Sequence, residues 1–520
     1  MVTDAAAGST RKATLSAIVR DHPYLALLNA AVLVVLSAGI VWTYALYENR
    51  LSIHQEFRSS KVSLGREVMA TSAYVTAPQA LAQNHLNLGA WFGFQEVLFR
   101  DPIDAAAMEF RLRVEPDGYV HILYDHRSDG FSGVRFSSRP DFPAIVYSAR
   151  PDGEFTAITK LDLEPIGPDV WHRAALNFTA DAVDITLDGV RVASVRRTAG
   201  MQRLGLRGGQ RNAWIDDVIV TGRDGQVLTE DFTNRRQRWV RLAFVLLAAF
   251  VAAAALTVSS ASPERTLIRL QRAGVALGCV IGAAYAFQYV RGGTYRPLPA
   301  DNRRAETDSI NLHRKNVVDD IHARYAPRVP ANVFRILALG ASQTWGAGAR
   351  TQDETWVRQL ETLLNGSARG GRVECVNAGV SGFLAEHVLD LLRTDLAGME
   401  ASAALVTLSS NDVDPFQFER NLDAIARELA QRNIRTVFAL EPNSIERRTT
   451  DSRHGDLAAK HRIVSAIAAR HRIPVIDLQS YLADRKDAGF LWWDFVHLTT
   501  FGQRLVSGKL AADLPPLLGL

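Results

Sequence analysis

Four stretches in the last third of the chain carry side chains whose types can move an acyl group. Gly340-Ala341-Ser342-Gln343-Thr344 sets a serine among small residues, and Asn377-Ala378-Gly379-Val380-Ser381-Gly382 offers an amide and two glycines. Ser409-Ser410-Asn411-Asp412 places a second amide beside a carboxylate, and Asp494-Phe495-Val496-His497 sets a carboxylate three residues before an imidazole. Acyl transfer needs a hydroxyl made nucleophilic by a base, a base held in one tautomer, and donors for the oxyanion that develops on the carbonyl. A serine, an Asp–His pair and amide-bearing loops are such a set. Each also has a plainer use: Ser342 can cap a helix, and Asn411-Asp412 can make a turn. His454, His461 and His471 read as solvated residues on a polar helix face.

The elements around these stretches decide whether they meet. Apolar runs at 334–339, 372–376, 403–408, 435–440 and 474–478 predict strands. Between them, Trp356, Leu360, Leu363 and Leu364 mark one helical face, and Leu384, Val388, Leu391 and Leu392 another. Continuous apolar strands joined by helices predict a parallel sheet covered on both faces. Such a sheet carries its functional loops at the carboxyl ends of its strands. Three of the four stretches follow a strand directly, and the fourth lies near the chain's end, so all four are expected on one rim.

This order of blocks resembles the SGNH/GDSL hydrolase family, whose members carry a G-D-S nucleophile block, an N-x-x-x-x-G block, a G-x-N-D block and D-x-x-H. The likeness spans about residues 334–520. It implies a flavodoxin-like α/β domain and a serine esterase without metal or cofactor. It also implies Ser342 as nucleophile, His497 as its base and Asp494 as the residue orienting the imidazole. The backbone N–H groups of Ser342 and Gly382 and the side-chain amide of Asn411 would form the oxyanion hole, and Asp412 would be structural. Two positions depart from the pattern: Ala341 stands where the block name has aspartate, and Ser409 replaces a glycine. The G-x-S-x-G elbow of α/β-hydrolases is absent at Ser342.

The rest of the 520-residue chain sets the context. Its 59 Lys+Arg against 55 Asp+Glu, with no long basic stripe, point away from nucleic acid. Two cysteines, Cys279 and Cys375, both in apolar runs, exclude a disulfide framework. Residues 24–47 contain no charge and would make a helix of roughly 36 Å, enough to cross a hydrocarbon core of about 30 Å. Residues 242–259 and 273–290 read as a transmembrane hairpin. The predicted architecture is therefore a multidomain membrane protein with about three transmembrane helices, the lipid bilayer being a partner. Arg11, Lys12 and Arg20, with Arg265, Arg269 and Arg272 in the hairpin loop, favour a cytoplasmic N-terminus (residues 1–23), although Arg235, Arg236, Arg238 and Arg241 oppose it. That topology puts 48–238 and 291–520 outside a bacterial-type cytoplasmic (inner) membrane.

Between the first two apolar segments the period is two. Met108, Phe110, Leu112 and Val114 alternate with charged residues, and Asp188-Gly189 separates two further alternating runs. Residues 85–232 are expected to form an antiparallel sandwich, and 291–333 a polar linker. The pieces VWHRAALNF, ITLDGVRVA and AWIDDVIVTG resemble strands of concanavalin-like, laminin-G-type jelly rolls. Asp216 and Asp217 read as turn or edge carboxylates in preference to calcium ligands. Trp492 and Trp493, before Asp494, read as core in preference to a sugar-stacking wall.

The function expected from these features is hydrolysis of carboxylic esters, O-acetyl groups first, on an envelope or secreted polysaccharide, with envelope polysaccharide machinery as a possible partner. Two alternatives stand beside it: O-acyl transfer to a polysaccharide, and a non-catalytic glycan-binding envelope scaffold.

Overall fold

The computed structural model describes residues 53–54, 86–88, 96–99, 102–127, 129–197, 200–209, 211–230, 302–349, 351–367, 371–444, 456–492 and 496–520. All of them lie in one compact unit, Leu51–Thr233 with Arg296–Leu520. The other unit, Met1–Arg50 with Asn234–Tyr295, lies outside the described residues.

The middle of the chain forms two antiparallel sheets. The first runs in the order β1 (Ile53–His54), β3 (Glu96–Phe99), β12 (Arg203–Gly208), β5 (Tyr119–Arg127), β6 (Gly130–Ser137), β7 (Ile145–Ala149), β8 (Phe155–Lys160). The second runs β11 (Val190–Arg196), β10 (Ala182–Leu187), β9 (His172–Phe178), β4 (Ala105–Val114), β13 (Ala213–Gly222), β14 (Val227–Glu230), with β2 (Leu86–Asn87) on β13. The alternation in β4 does what period two demands: Met108, Phe110, Leu112 and Val114 are buried against Val120, Ile122, Val134 and Phe136 of the facing sheet. Asp188 and Gly189 both take positive φ, 49° and 81°, as a two-residue hairpin of the primed type requires. Arg111 pairs with Asp216 at 2.6 Å and with Asp217 at 2.8 Å, which gives both carboxylates a structural partner. The likeness to laminin-G-type jelly rolls is carried by the sequence pattern alone.

The C-terminal part is a five-stranded parallel sheet in the order β16 (Arg372–Gly379), β15 (Val333–Gly340), β17 (Ala403–Thr407), β18 (Arg435–Leu440), β19 (Val475–Asp477). Alternate residues of β15 feed its two faces. Leu337 and Leu339 pack with α1 (Asn302–Arg324), α4 (Ala385–Arg393), α5 (Pro415–Gln431) and α6 (Leu457–His471) through Ile321, Val388, Leu422 and Ile467. Ile336 and Ala338 pack with α3 (Trp356–Ser367), α7 (Leu478–Ala483) and α8 (Thr500–Leu518) through Leu360, Leu482 and Leu510. A four-residue helix, α2 (Ser342–Trp345), leaves the end of β15.

Two expectations change. The multidomain membrane protein with about three transmembrane helices is corrected, because among the described residues no helix is long and apolar enough to cross a membrane. A span needs about 20 mainly apolar residues. The described helices nearest that length are unsuitable: α1 is strongly charged, and α8 carries Arg504, Lys509 and Asp513 with Pro515 and Pro516 inside it. The segments 24–47, 242–259 and 273–290 lie outside the described residues. Second, residues 302–324 of the stretch read as a linker are helical. Val318 and Ile321 are buried against the sheet, with Ile310 and Val317 packed beside them, a stripe too narrow to stand out in a polar sequence.

Candidate active site

Strand register brings the first three stretches to one rim. Gly340, the last residue of β15, faces Gly379 of β16 on one side and Thr407 of β17 on the other. Ser342 starts α2 two residues later, and the helix crosses the end of β16 so closely that a Cβ on Gly379 would collide with the backbone of Thr344 and Trp345. Further contacts pin the short helix. Thr344 and Thr407 share a hydroxyl hydrogen bond of 2.5 Å, Gln343 Nε2 donates to Pro442 O at 2.8 Å, and Trp356 Nε1 donates to Gln343 O at 2.9 Å. Ser342 is 8 % exposed.

His497 Nε2 stands 2.8 Å from Ser342 Oγ, across 155 positions of sequence. The loop bearing it is closed at its base by a bridge between Trp492 and Leu498 and by Thr499 N donating to Leu491 O at 3.0 Å. Thr499 Oγ1 donates to Phe490 O at 2.5 Å and accepts from Gly502 N at 3.1 Å, which caps α8. Asp494, the residue expected to orient the imidazole, lies outside the described residues, as does Trp493. Trp492 is buried core.

Gly382 takes φ +82°, the left-handed region that favours glycine, and the Ile310 side chain comes within 3.1 Å of where its Cβ would be. Ser381 N donates to His313 Nδ1 at 3.2 Å, and burial lowers the His313 pKa, which favours the neutral ring that such an acceptor needs. Asn411 Nδ2 donates to Phe383 O at 3.0 Å, tying the second amide to the residue after Gly382.

The loop carrying Asn411 is gripped by buried charges. Lys460 Nζ donates to Asp412 O at 2.8 Å and to Ser410 O at 3.4 Å. Glu441, 1 % exposed, accepts from Ser410 N at 2.7 Å and from Ser409 Oγ at 3.1 Å. Asp412 accepts from Ala385 N at 3.1 and 3.2 Å. Burial pushes its pKa up to about 6, against the opposing pull of that N–H and of Lys460. The hydroxyl of Ser409 therefore has a use, as one of the groups Glu441 holds.

Residues 338–505 match the sequence model of the GDSL-like Lipase/Acylhydrolase family. This segment is a GDSL-like lipase/acylhydrolase domain. It is accordingly an ester hydrolase. Solved structures similar to the chain include the acetyl xylan esterase AlAXEase, 20 % identical, covering 35 % of this chain and all of that one, with a TM-score of 0.31. The lipase/acylhydrolase from Enterococcus faecalis is 18 % identical and covers 35 % of this chain and 96 % of its own, with a TM-score of 0.31. A variant of Axe2, an acetyl-xylooligosaccharide esterase from Geobacillus Stearmophilus, is 17 % identical, covers 38 % and 97 %, and has a TM-score of 0.32. Among curated proteins no match is found.

Around the GDSL-like site, Glu441, Asn443, Lys460 and His313 have no counterpart in the sequence reading, and His461 and His471 are expected there on a solvated helix face. Glu441 and Asn443 directly follow a strand, a position that could have flagged them. Lys460 and His461 are not on a solvated face: Lys460 is buried, and His461 Nε2 lies 3.1 Å from Glu441 O with its pKa lowered by burial. His471 meets Asp423 at 2.8 Å. His313 belongs to α1, which precedes the family segment.

Proposed function

We propose that the GDSL-like domain cleaves small acyl esters, O-acetyl groups on carbohydrate first among them, with Ser342 as nucleophile and His497 as its base. The contact of 2.8 Å between His497 Nε2 and Ser342 Oγ carries the reading. As Ser342 Oγ attacks the ester carbonyl, its proton moves to Nε2. The tetrahedral oxyanion is met by the backbone N–H groups of Ser342 and Gly382 and by the Asn411 amide. The imidazolium then returns the proton to the departing alkoxide, leaving an acyl-serine. Water, deprotonated by the same imidazole, attacks the acyl carbon, and Ser342 leaves with its proton restored and the carboxylic acid released. Asp494 is assigned the orienting role by its place three residues before His497.

A small acyl group is supported by the bulk beside the oxyanion loop: Ile310 against Gly382, and His313 edge-on to Trp345 at 4.7 Å. A carbohydrate alcohol is supported by Ser381 and Asn411, partly exposed hydrogen-bonding residues beside the proposed oxyanion donors. The test is hydrolysis of p-nitrophenyl acetate, butyrate and octanoate and of acetylated xylo-oligosaccharide by the full chain and by Ser342→Ala. Activity falling with acyl length and lost in Ser342→Ala is expected. Preference for octanoate would remove the small-acyl reading, and unchanged activity in Ser342→Ala would remove the nucleophile.

A further inference from the structure

We propose that the two-sheet module is a working part of the esterase site, with Arg207 and the aromatic pocket around Phe490 positioning the loop that carries His497. This rests on His497 being the base for Ser342. Residues 488–492 form the stem that precedes the loop carrying His497, and Leu498 and Thr499 lead from it into α8. Both sides of that loop are tied to the sandwich. Phe490 N donates to Gly153 O at 2.8 Å and Phe155 N donates to Ala488 O at 3.0 Å, so the stem adds a short antiparallel bridge to the turn before β8. On the far side of the loop, Arg504 of α8 pairs with Asp152 at 2.5 Å and Glu154 at 2.8 Å, in that same turn.

The stem's side chains extend the attachment. The Phe490 ring is buried among His121, Phe155, Tyr147 and Phe131, with centroids 5.0 to 6.0 Å away. Arg207 caps that pocket: its guanidinium lies 4.1 Å from the Phe490 centroid, and Nη2 donates to Trp492 O at 3.1 Å. Trp492 is the residue that bridges Leu498 and closes the loop. A buried cation thus holds the backbone at the loop's base, two residues before Asp494. Arg135 to Asp487 at 3.0 Å and Lys486 to Asp141 at 3.2 Å fasten the approach to the stem. His497 must stay within hydrogen-bond reach of Ser342, and a displacement of about 1 Å can cost on the order of a hundredfold in rate. The geometry of that base therefore depends on what holds the stem of its loop.

The experiment uses the full chain with p-nitrophenyl acetate. Arg207→Met, Arg207→Lys and Phe490→Leu are compared with Val183→Ala, a core change in the sandwich sheet away from the stem. Melting temperature, kcat, KM and the pH profile of kcat/KM are measured for each, with Ser342→Ala as the independent check on the nucleophile. Arg207→Met and Phe490→Leu should lose roughly ten- to hundredfold in kcat, with KM within about twofold and the acid limb of the profile displaced. Arg207→Lys should recover part of the loss. Val183→Ala should lower the melting temperature and leave kcat unchanged. If Arg207→Met does not fold, Phe490→Leu decides. Wild-type kcat in the folded variants, or an equal fall in Val183→Ala, overturns the proposal. Activity surviving in Ser342→Ala would instead remove the reading on which it rests.

Discussion

Ser342 and His497 touch, but they are held in place by different kinds of support. Ser342 begins a helix that leaves a central strand of a parallel sheet, and its neighbours Thr407, Pro442, Asn443 and Trp356 all belong to that same domain. His497 sits on a loop whose stem is fastened by Gly153, Phe155 and Arg207, the last of them 285 positions earlier in the chain. The proposed nucleophile is thus placed by the fold that contains it, and the stem carrying the proposed base by that fold together with contacts from the sandwich. Damage to the sheet core should unfold the domain outright, whereas damage at the sandwich contact should leave a folded domain whose base is out of place.

The largest effect should come from the contact itself. Ser342→Ala and His497→Ala should each reduce kcat by about 10⁴-fold or more, and the double variant should be little worse, because the two act as one unit. An additive double variant, measured by steady-state hydrolysis, would separate them. Next comes the oxyanion side of the rim: Asn411→Ala should cost on the order of a hundredfold in kcat with little change in KM. A pure KM effect would place Asn411 in substrate binding instead.

Smaller effects probe how the rim is supported. Glu441→Ala leaves Ser410 N–H and the Ser409 hydroxyl without their buried acceptor, and should lower stability by about 1–3 kcal/mol in denaturant unfolding. Wild-type stability would show that the loop is held without it. The smallest effect is a pH dependence. The pKa of Asp412 is raised from 3.8 to about 6, so the folded state binds this proton more tightly than the unfolded one. Its contribution therefore favours folding at acid pH and declines as pH rises from about 4 to 6. Asp412→Asn should flatten the stability profile across that window. An unchanged slope would assign it to other groups.

Much of the Ser342 half was legible in the sequence because each signal there is local. The apolar runs have the length and continuity of buried parallel strands; Gly340 and Gly379 end β15 and β16, and Asn411 follows β17 within a few residues. The rest was hidden for physical reasons. The buried stripe of α1 is too sparse to reveal a helix that brings Ile310 and His313 to Ser381 and Gly382. His461 looks solvated because a polar residue in a helix is ordinarily exposed, and only its contact with the carbonyl of Glu441 explains why it is half-buried. Arg207 gave no sign at all, since its partner Trp492 lies in another domain. The three apolar segments that suggested membrane helices met no support among the described helices, which are too charged or too short.

The most direct measurement of the central claim is labelling by a reactive phosphonate, followed by mass spectrometry of the modified peptide, on the full chain and on its His497→Ala and Arg207→Met variants. One phosphonyl group on Ser342 is expected, forming rapidly in the parent, more slowly in Arg207→Met and slowest in His497→Ala. Label on another residue, or labelling of Ser342 at the same rate in all three, would contradict the account.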